Sequence, residues 1–466
     1  MRTWVQPTPN DSRRIVRLGV LDGQTVREVR RLWTLDVSNI PRLVFEDSDL
    51  AAIVTAALQH FPGDQLFSRG NDVAMATDGS IAITTHGYAG TVETFLLNSL
   101  TNQYEVDSEW SIPISEFGLI STSFTNTNIE MDSEGKTLAI SVVNAGAGET
   151  GATLIYTRDP SSSRGDWNLL QIIRNPDSDL ASYGIDTHLS DSGRTLCVGN
   201  SNSDVAGTNR GAISIFRRDS DNALFDARQA IYGRFSNQYF GTDADLFGDS
   251  ELVVGNGGNN SSNDEATVFR LNSSTGQFDS DYRITRPEPG DANVDSDFSW
   301  NSAYWGSKLQ ISGDGLTLVI SGRNATVNSV SQIGAISIFT RNNVGDTWNH
   351  IRTAPKPNRR SSAARWGFDI SLSHDGRSMY VGAYIENSSR GAVYYYELNP
   401  GQTWTDFDFT QDLVISDSDA IFNGETSGSL GQNIMSSRNL EQAIVSNANG
   451  DELGSNFGGV LFINRS

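Results

Sequence analysis

From Trp366 onward, apolar and polar positions alternate in short bursts separated by turn residues. Ile370 and Leu372 alternate with serines, and Asp375-Gly376 makes a hairpin turn. Tyr380–Ala383 and Ala392–Tyr396 are runs of strand formers, and Trp404 opens a fourth run, Trp404–Leu413. The apolar period is two, not 3.6, so the stretch predicts four antiparallel strands forming one sheet.

That sheet recurs. The turn residue falls at Asp78, Glu134, Ser192, Asp249, Asp314, Asp375 and Asn439, in steps of 56, 58, 57, 65, 61 and 64 residues. Nine residues before each stands an aromatic-Gly pair or its remnant: Arg69-Gly70, Thr125-Asn126, Tyr183-Gly184, Phe240-Gly241, Trp305-Gly306, Trp366-Gly367 and Leu430-Gly431. A small-residue pair opens the third strand, as in Gly151-Ala152, Gly211-Ala212, Gly334-Ala335 and Gly391-Ala392. A large aromatic marks the fourth at Trp110, Trp167, Phe225, Phe278, Trp348 and Trp404. One four-stranded sheet cannot cover both of its faces, so seven copies predict an all-β fold, a seven-bladed β-propeller over residues 66–466.

The first 65 residues read differently. Arg17–Val29 and Arg31–Phe45 each read strand, Asp-led turn, strand, which predicts a small β-meander over residues 1–41 with arginines at its edges. An Ala-rich apolar run after Asp47-Ser-Asp49 stops at Pro62-Gly63, which predicts one short linker helix at about 48–60. The seventh copy runs out after a third strand, Val460–Asn464. Arg42–Glu46 precedes its Asp-Ser-Asp as a fourth strand should, so the expectation is that residues 42–46 close the last blade.

Charge and cysteine content narrow the function. Residues 1–46 hold eight Arg and five acidic residues, and the remaining 420 hold 26 basic and 51 acidic ones, giving −22 overall. So acidic a body argues against nucleic acid and anionic lipid as partners. No run approaches 18 apolar residues, so no membrane insertion is expected, and the first ten residues lack the apolar core of a signal peptide. The single cysteine, Cys197, lies in a second strand and reads as a packing thiol.

The aromatic-Gly and Gly-Ala pairs resemble FG-GAP-type repeats of integrin heads and of bacterial and phage surface proteins. The resemblance implies a propeller with an interaction role. Calcium often binds that family through Asp-x-Asp-x-Asp-Gly loops, which this chain lacks; its turns are Ser-x-Asp-Gly or degenerate. No cofactor is therefore expected. The weak metal candidates are Asp-Ser-Asp loops, Asp177 with Asp179 and Asp417 with Asp419, where two carboxylates can grip Ca²⁺ or can cap their own turns. The N-terminal meander resembles short segments near the start of structural proteins of tailed bacteriophages, marine phages especially. That likeness implies virion docking, with Arg17, Arg27, Arg31 and Trp33 as docking residues.

Five histidines in separate repeats, without a Gly-x-Ser-x-Gly elbow, give no catalytic constellation, so no enzyme is expected. The strand-two-to-three loops vary most in length and share a face with the strand-four-to-one connectors. Phe298, Trp300 and Tyr304, beside Asp295 and Asp297, are candidate anchors there, with Trp300 expected to be exposed and Trp305 buried between blades. The expectation is a structural protein of a tailed-phage virion, on the tail rather than the capsid. It would be present as a symmetric multimer, held by other virion proteins and facing a host receptor or glycan. Alternatives are a capsid-decorating or tail-nozzle protein, a non-viral cell-surface adhesion propeller, and a hydrolase or lyase with its pocket at the central channel.

Overall fold

The computed structural model describes residues 69–86, 90–112, 127–143, 150–159, 166–177, 183–257, 264–295, 298–300, 303–327, 329–357, 363–409, 413–416, 429–447 and 459–465. It also describes the backbone of strands at 17–22, 25–35, 41–45 and 56–62.

Seven antiparallel sheets stand around one axis. Their innermost strands are Arg69–Met75, Thr127–Met131, Thr187–Leu189, Phe240–Phe247, Trp305–Ile311, Ile370–Leu372 and Leu430–Ser436. Their outermost are Gln103–Ser111, Asn168–Arg174, Ala227–Tyr232, Gln277–Thr285, Asn349–Pro355, Leu413–Ser416 and Ala56–Pro62. The strand pattern of the sequence predicts the sixth of these at Trp404–Leu413. Instead, Trp404–Asp406 is a short 3₁₀ turn, because the indole is buried and its Nε1–H donates to the Gly376 carbonyl at 2.8 Å.

The repeat motifs are the places where neighbouring blades touch. A Cβ on Gly211 would lie 2.2 Å from the Phe240 carbonyl oxygen, and one on Gly391 would lie 2.2 Å from that of Leu430. Both glycines have positive φ, and parallel bridges join Gly211 to Phe240 and Gly391 to Leu430. Glycine is required there because the backbone of one blade rests on the next. Between the sheets lie apolar layers, such as Cys197, Ile213 and Ile215 against Phe240, Leu252 and Val254. Cys197 is fully enclosed, as expected of a packing thiol, and burial raises its pKa well above the ordinary thiol value.

Closure of the ring differs from the expectation. Gly459–Arg465 pairs with Ala56–Pro62, from Gly459 opposite Pro62 to Arg465 opposite Ala56. The closing strand therefore overlaps the predicted linker helix, and residues 42–46 do not close the blade; residues 48–55 lie outside the described residues. Pro62 leads to the first inner strand at Arg69 much as Tyr232 leads to Phe240, so the segment next to the first blade is the one that completes the last. The meander is present as Arg17–Asp22, Thr25–Leu35 and Pro41–Phe45, and continues the seventh sheet outward beyond Ala56–Pro62, with Arg42 opposite Ala57.

Candidate functional site

The inner strands line a central channel, and one repeat position supplies most of its polar groups. The second residue after each aromatic-Gly pair is Asp72, Asn128, Asp186, Asp243, Lys308, Asp369 or Asn433. Four inner strands slip register just there, between Arg69 and Asp72, Phe240 and Ala244, Trp305 and Leu309, and Leu430 and Ile434. Such a bulge re-aims side chains, and here it turns carboxylates toward the next blade's backbone. Asp72 Oδ2 accepts from Ile129 N–H at 2.7 Å, Asp243 Oδ2 from Leu309 N–H at 2.5 Å, and Asp369 Oδ2 from Ile434 N–H at 2.5 Å. Asn433 Nδ2–H donates to the Asn71 carbonyl at 2.8 Å, returning the series to the first blade. A second tier repeats the arrangement: Asp245 Oδ2 accepts from Ile311 N–H at 2.6 Å and Gln310 Oε1 from Leu372 N–H at 2.7 Å.

Six carboxyls (Asp72, Glu130, Asp186, Asp243, Asp245 and Asp369) face two bases, His188 and Lys308. His188 Nε2 lies 3.2 Å from Asp186 Oδ1 and 3.9 Å from Asp243 Oδ1, and its Nδ1 lies 3.7 Å from Asp245 Oδ1. Lys308 Nζ bridges Asp243 Oδ1 at 3.5 Å and Asp369 Oδ1 at 3.2 Å. Burial opposes both positive charges, yet the surrounding aspartates, Asp186 foremost for His188 and Asp243 for Lys308, raise both pKa values well above the ordinary ones. Two bases cannot neutralise six acids. Burial pushes Asp72 up to about 7, Glu130 up to about 8 and Asp245 up to about 6, so protonation of Glu130 and Asp72 near neutral pH relieves part of the excess negative charge.

Asp186, His188 and Asp243 offer three ligand atoms within 4.8 Å of one another, a possible metal grip. The Lys308 ammonium already lies 3.5 Å from Asp243 Oδ1, the oxygen that faces His188, and the other oxygen of Asp243 serves a backbone amide. The geometry is that of an electrostatic latch holding blade to blade.

The predicted site residues do not gather in one place. Trp300 is only 3% exposed, which corrects the expectation of an exposed anchor. Its ring covers the Gly322 backbone, where a Cβ would lie 2.5 Å from the indole, and its Nε1–H donates to the Pro287 carbonyl at 2.6 Å. It fills the seam between the fourth and fifth blades, as does the fully buried Trp305. Phe298 pairs with Val327 in a two-residue ladder. Asp295 pairs with Arg352 at 3.1 Å and Asp177 with Arg228 at 2.9 Å, so both carboxylates have cationic partners within the fold. Asp179, Asp297, Asp417 and Asp419 lie outside the described residues. Arg17, Arg27, Arg31 and Trp33 lie on meander strands, opposite Arg30, Val20, Phe45 and Leu43. Tyr304 is half-buried at the channel mouth, under the Arg323 guanidinium.

Two repeated features escaped the sequence reading. The channel belt left a signal, a polar residue two places after every aromatic-Gly pair. The other is an arginine just past the third strand: Arg158, Arg218 and Arg341 each donate Nε–H to a hairpin glycine carbonyl, Gly135, Gly193 or Gly315, at 2.5 to 2.7 Å. Each also stacks on its blade's aromatic marker, Trp167, Phe225 or Trp348. In the first blade Tyr104 Oη–H meets the Gly79 carbonyl instead.

No family model matches the sequence, and no curated protein matches it. Solved structures do. Kuenenia stuttgartiensis hydrazine synthase aligns at 12% identity over 87% of this chain and 97% of that chain, with a TM-score of 0.52. U3-55K aligns at 10% identity over 87% and 98%, with a TM-score of 0.51. The periplasmic gluconolactonase of Pseudomonas aeruginosa aligns at 15% over 85% and 90%, with a TM-score of 0.50. At such identities the likeness establishes the fold alone.

Proposed function

We propose that this propeller is a non-catalytic, partner-binding structural protein of a tailed-phage particle, tail-associated and attached through its N-terminal meander. The observation that carries this reading is the continuation of the seventh sheet outward through three N-terminal strands beyond the closing strand. The meander adds nothing to ring closure, so an attachment role gives it a purpose, in keeping with its resemblance to phage docking segments. The channel supports a structural reading as well, because its carboxylates bind backbone amides of neighbouring blades. The FG-GAP-like motifs fit the same role, since they mark the backbone contacts between blades.

The test is a chain lacking residues 1–40, compared with the full chain by thermal melting and by copy number in purified particles. A folded propeller missing from particles is the expected result. Incorporation at the normal copy number would refute the docking role, and absence of the full chain from particles would refute the virion assignment.

A further inference from the structure

At the channel mouth, on the face of the strand-two-to-three loops, five side chains from the fifth and sixth blades form one stack. Tyr304 and Arg365 come from connectors that precede the inner strands, and Arg323 and Tyr384 follow the second strands Thr317–Gly322 and Ser378–Gly382. The Arg323 guanidinium lies 5.6 Å from the Tyr304 ring and 4.9 Å from that of Phe368. Phe368 contacts Tyr384 at 4.3 Å between ring centroids, and Arg365 lies over Tyr384 at 5.6 Å while donating to its hydroxyl. All five side chains are half-buried, so each keeps a solvent-facing part.

The charge is the anomaly. The chain carries −22, yet among the described residues neither Arg323 nor Arg365 has a carboxylate within ion-pair distance. Arg365 Nε is buried without a hydrogen-bond partner. Burial, and then the neighbouring Arg365, lower the Arg323 pKa, against smaller raising contributions from Tyr384, Tyr304 and Asp243. Two buried arginines pair with acids, Arg341 with Glu251 and Arg286 with Asp264, while the buried Arg218 is met by the Gly193 and Asp221 carbonyls and the Thr137 hydroxyl; Arg323 and Arg365 have neither arrangement in full. Tyr304 and Arg365 hold positive φ, at 53° and 52°, as does Tyr239 before the fourth blade's aromatic-Gly pair at 53°, so this turn is a feature of the repeat that sets where both side chains start. Two guanidiniums with no carboxylate partner among the described residues offer forked donors for an oxyanion, and aromatic edges beside them offer an apolar surface for a sugar ring.

We propose that this cluster binds an acidic carbohydrate, its carboxylate or phosphate held by Arg323 and Arg365 and its ring resting against Tyr304, Phe368 and Tyr384. The proposal deepens the partner-binding reading by naming the ligand class, and stands apart from docking because the isolated full chain suffices to test it.

The experiment is calorimetric titration and thermal melting of the full chain with glucuronate, N-acetylneuraminate and glucose 6-phosphate. Glucose and inorganic phosphate serve as contrasts. At least one acidic sugar should bind and raise the melting temperature, with glucose and phosphate at least tenfold weaker. R323Q and R365Q should each weaken binding tenfold or more while melting close to the wild-type temperature, because relief of repulsion between two cations offsets the stacking each loses. Equal binding of glucose would overturn the anion assignment, and equal binding of phosphate the carbohydrate assignment. Failure of all three acidic sugars, or unchanged binding by the R323Q/R365Q double variant, would overturn the site. Variants that melt well below wild type would make the arginines structural. None of these outcomes bears on particle incorporation, so the docking reading stands or falls separately.

Discussion

Replacing Arg341 with methionine tests how the ring is held at its fourth and fifth blades. Its side chain is fully buried and its Nη1–H reaches Glu251 Oε1 at 2.8 Å and Oε2 at 2.9 Å, Glu251 itself being buried. Its Nε–H donates to the Gly315 carbonyl at 2.6 Å, and its guanidinium stacks on Trp348 at 4.1 Å. Removing one partner of a buried pair costs about 3–5 kcal/mol, because the remaining charge is stranded. Arg270 still lies 3.4 Å from Glu251, which brings the ion-pair loss toward the lower end. The lost stacking and the undonated Gly315 carbonyl add about 1–2 kcal/mol between them, so about 4 kcal/mol is expected in all. With an unfolding entropy of about 2.1 cal/mol/K per residue, a chain of 466 residues should melt about 4 °C lower. Adding Glu251→Leu removes the stranded charge, while Arg270 retains Asp281 at 3.0 Å. The double variant should therefore be more stable than Arg341→Met alone. Urea denaturation and calorimetry of all four proteins give the cycle. A single-variant loss below about 1 kcal/mol, or additive losses in the double variant, would refute the reasoning.

Two further outcomes follow from the closing strand and the channel. Successive amides of an antiparallel strand point to opposite sides, so proline at one of Leu58 and Gln59 must remove a bond to Gly459–Arg465. That variant should melt several degrees below Val44→Pro, which alters only the meander, and equal melting of all three would place closure elsewhere. Asp72 has its pKa raised by burial from 3.8 to about 7. Its contribution is complete below pH 4 and is lost as pH rises through 7, about 4 kcal/mol in all. Asp72→Asn should flatten that limb in urea titrations at pH 5 and pH 8, and an unchanged slope would assign it to other groups.

The repeat was legible because its markers are backbone requirements. Gly211 and Gly391 stand where a Cβ would strike the next blade, so the aromatic-Gly and Gly-Ala pairs appear in the sequence wherever sheets meet. The closing strand was not legible, because Ala56-Ala57-Leu58 carries helix formers, and strand geometry is imposed by an edge some 400 residues away. Trp300 was misplaced for a similar reason: an aromatic in a long connector reads as an anchor until Gly322 is seen beneath it. The channel belt was half legible. Its position is polar in every copy, but Asp72, Lys308 and Asn433 differ in chemistry, and only the ring sets them side by side. The Arg323–Arg365 stack uses two repeat positions, Tyr304 and Arg365 just before an aromatic-Gly pair and Arg323 and Tyr384 just past a second strand, but the residue type changes from copy to copy, so only the ring shows the two arginines side by side.

The way the last sheet is completed has a consequence in time. Phe61 pairs with Val460, so a partner made early in synthesis waits for one made 399 residues later. At about 5–20 residues per second, that interval is about 20–80 s, during which the waiting segment and six finished sheets have no seventh to close on. Few contacts span so much sequence, and such contacts form slowly. The open intermediate exposes strand edges at both ends, which places the hazard of association between nascent chains in that window and makes ring completion the step a chaperone would guard.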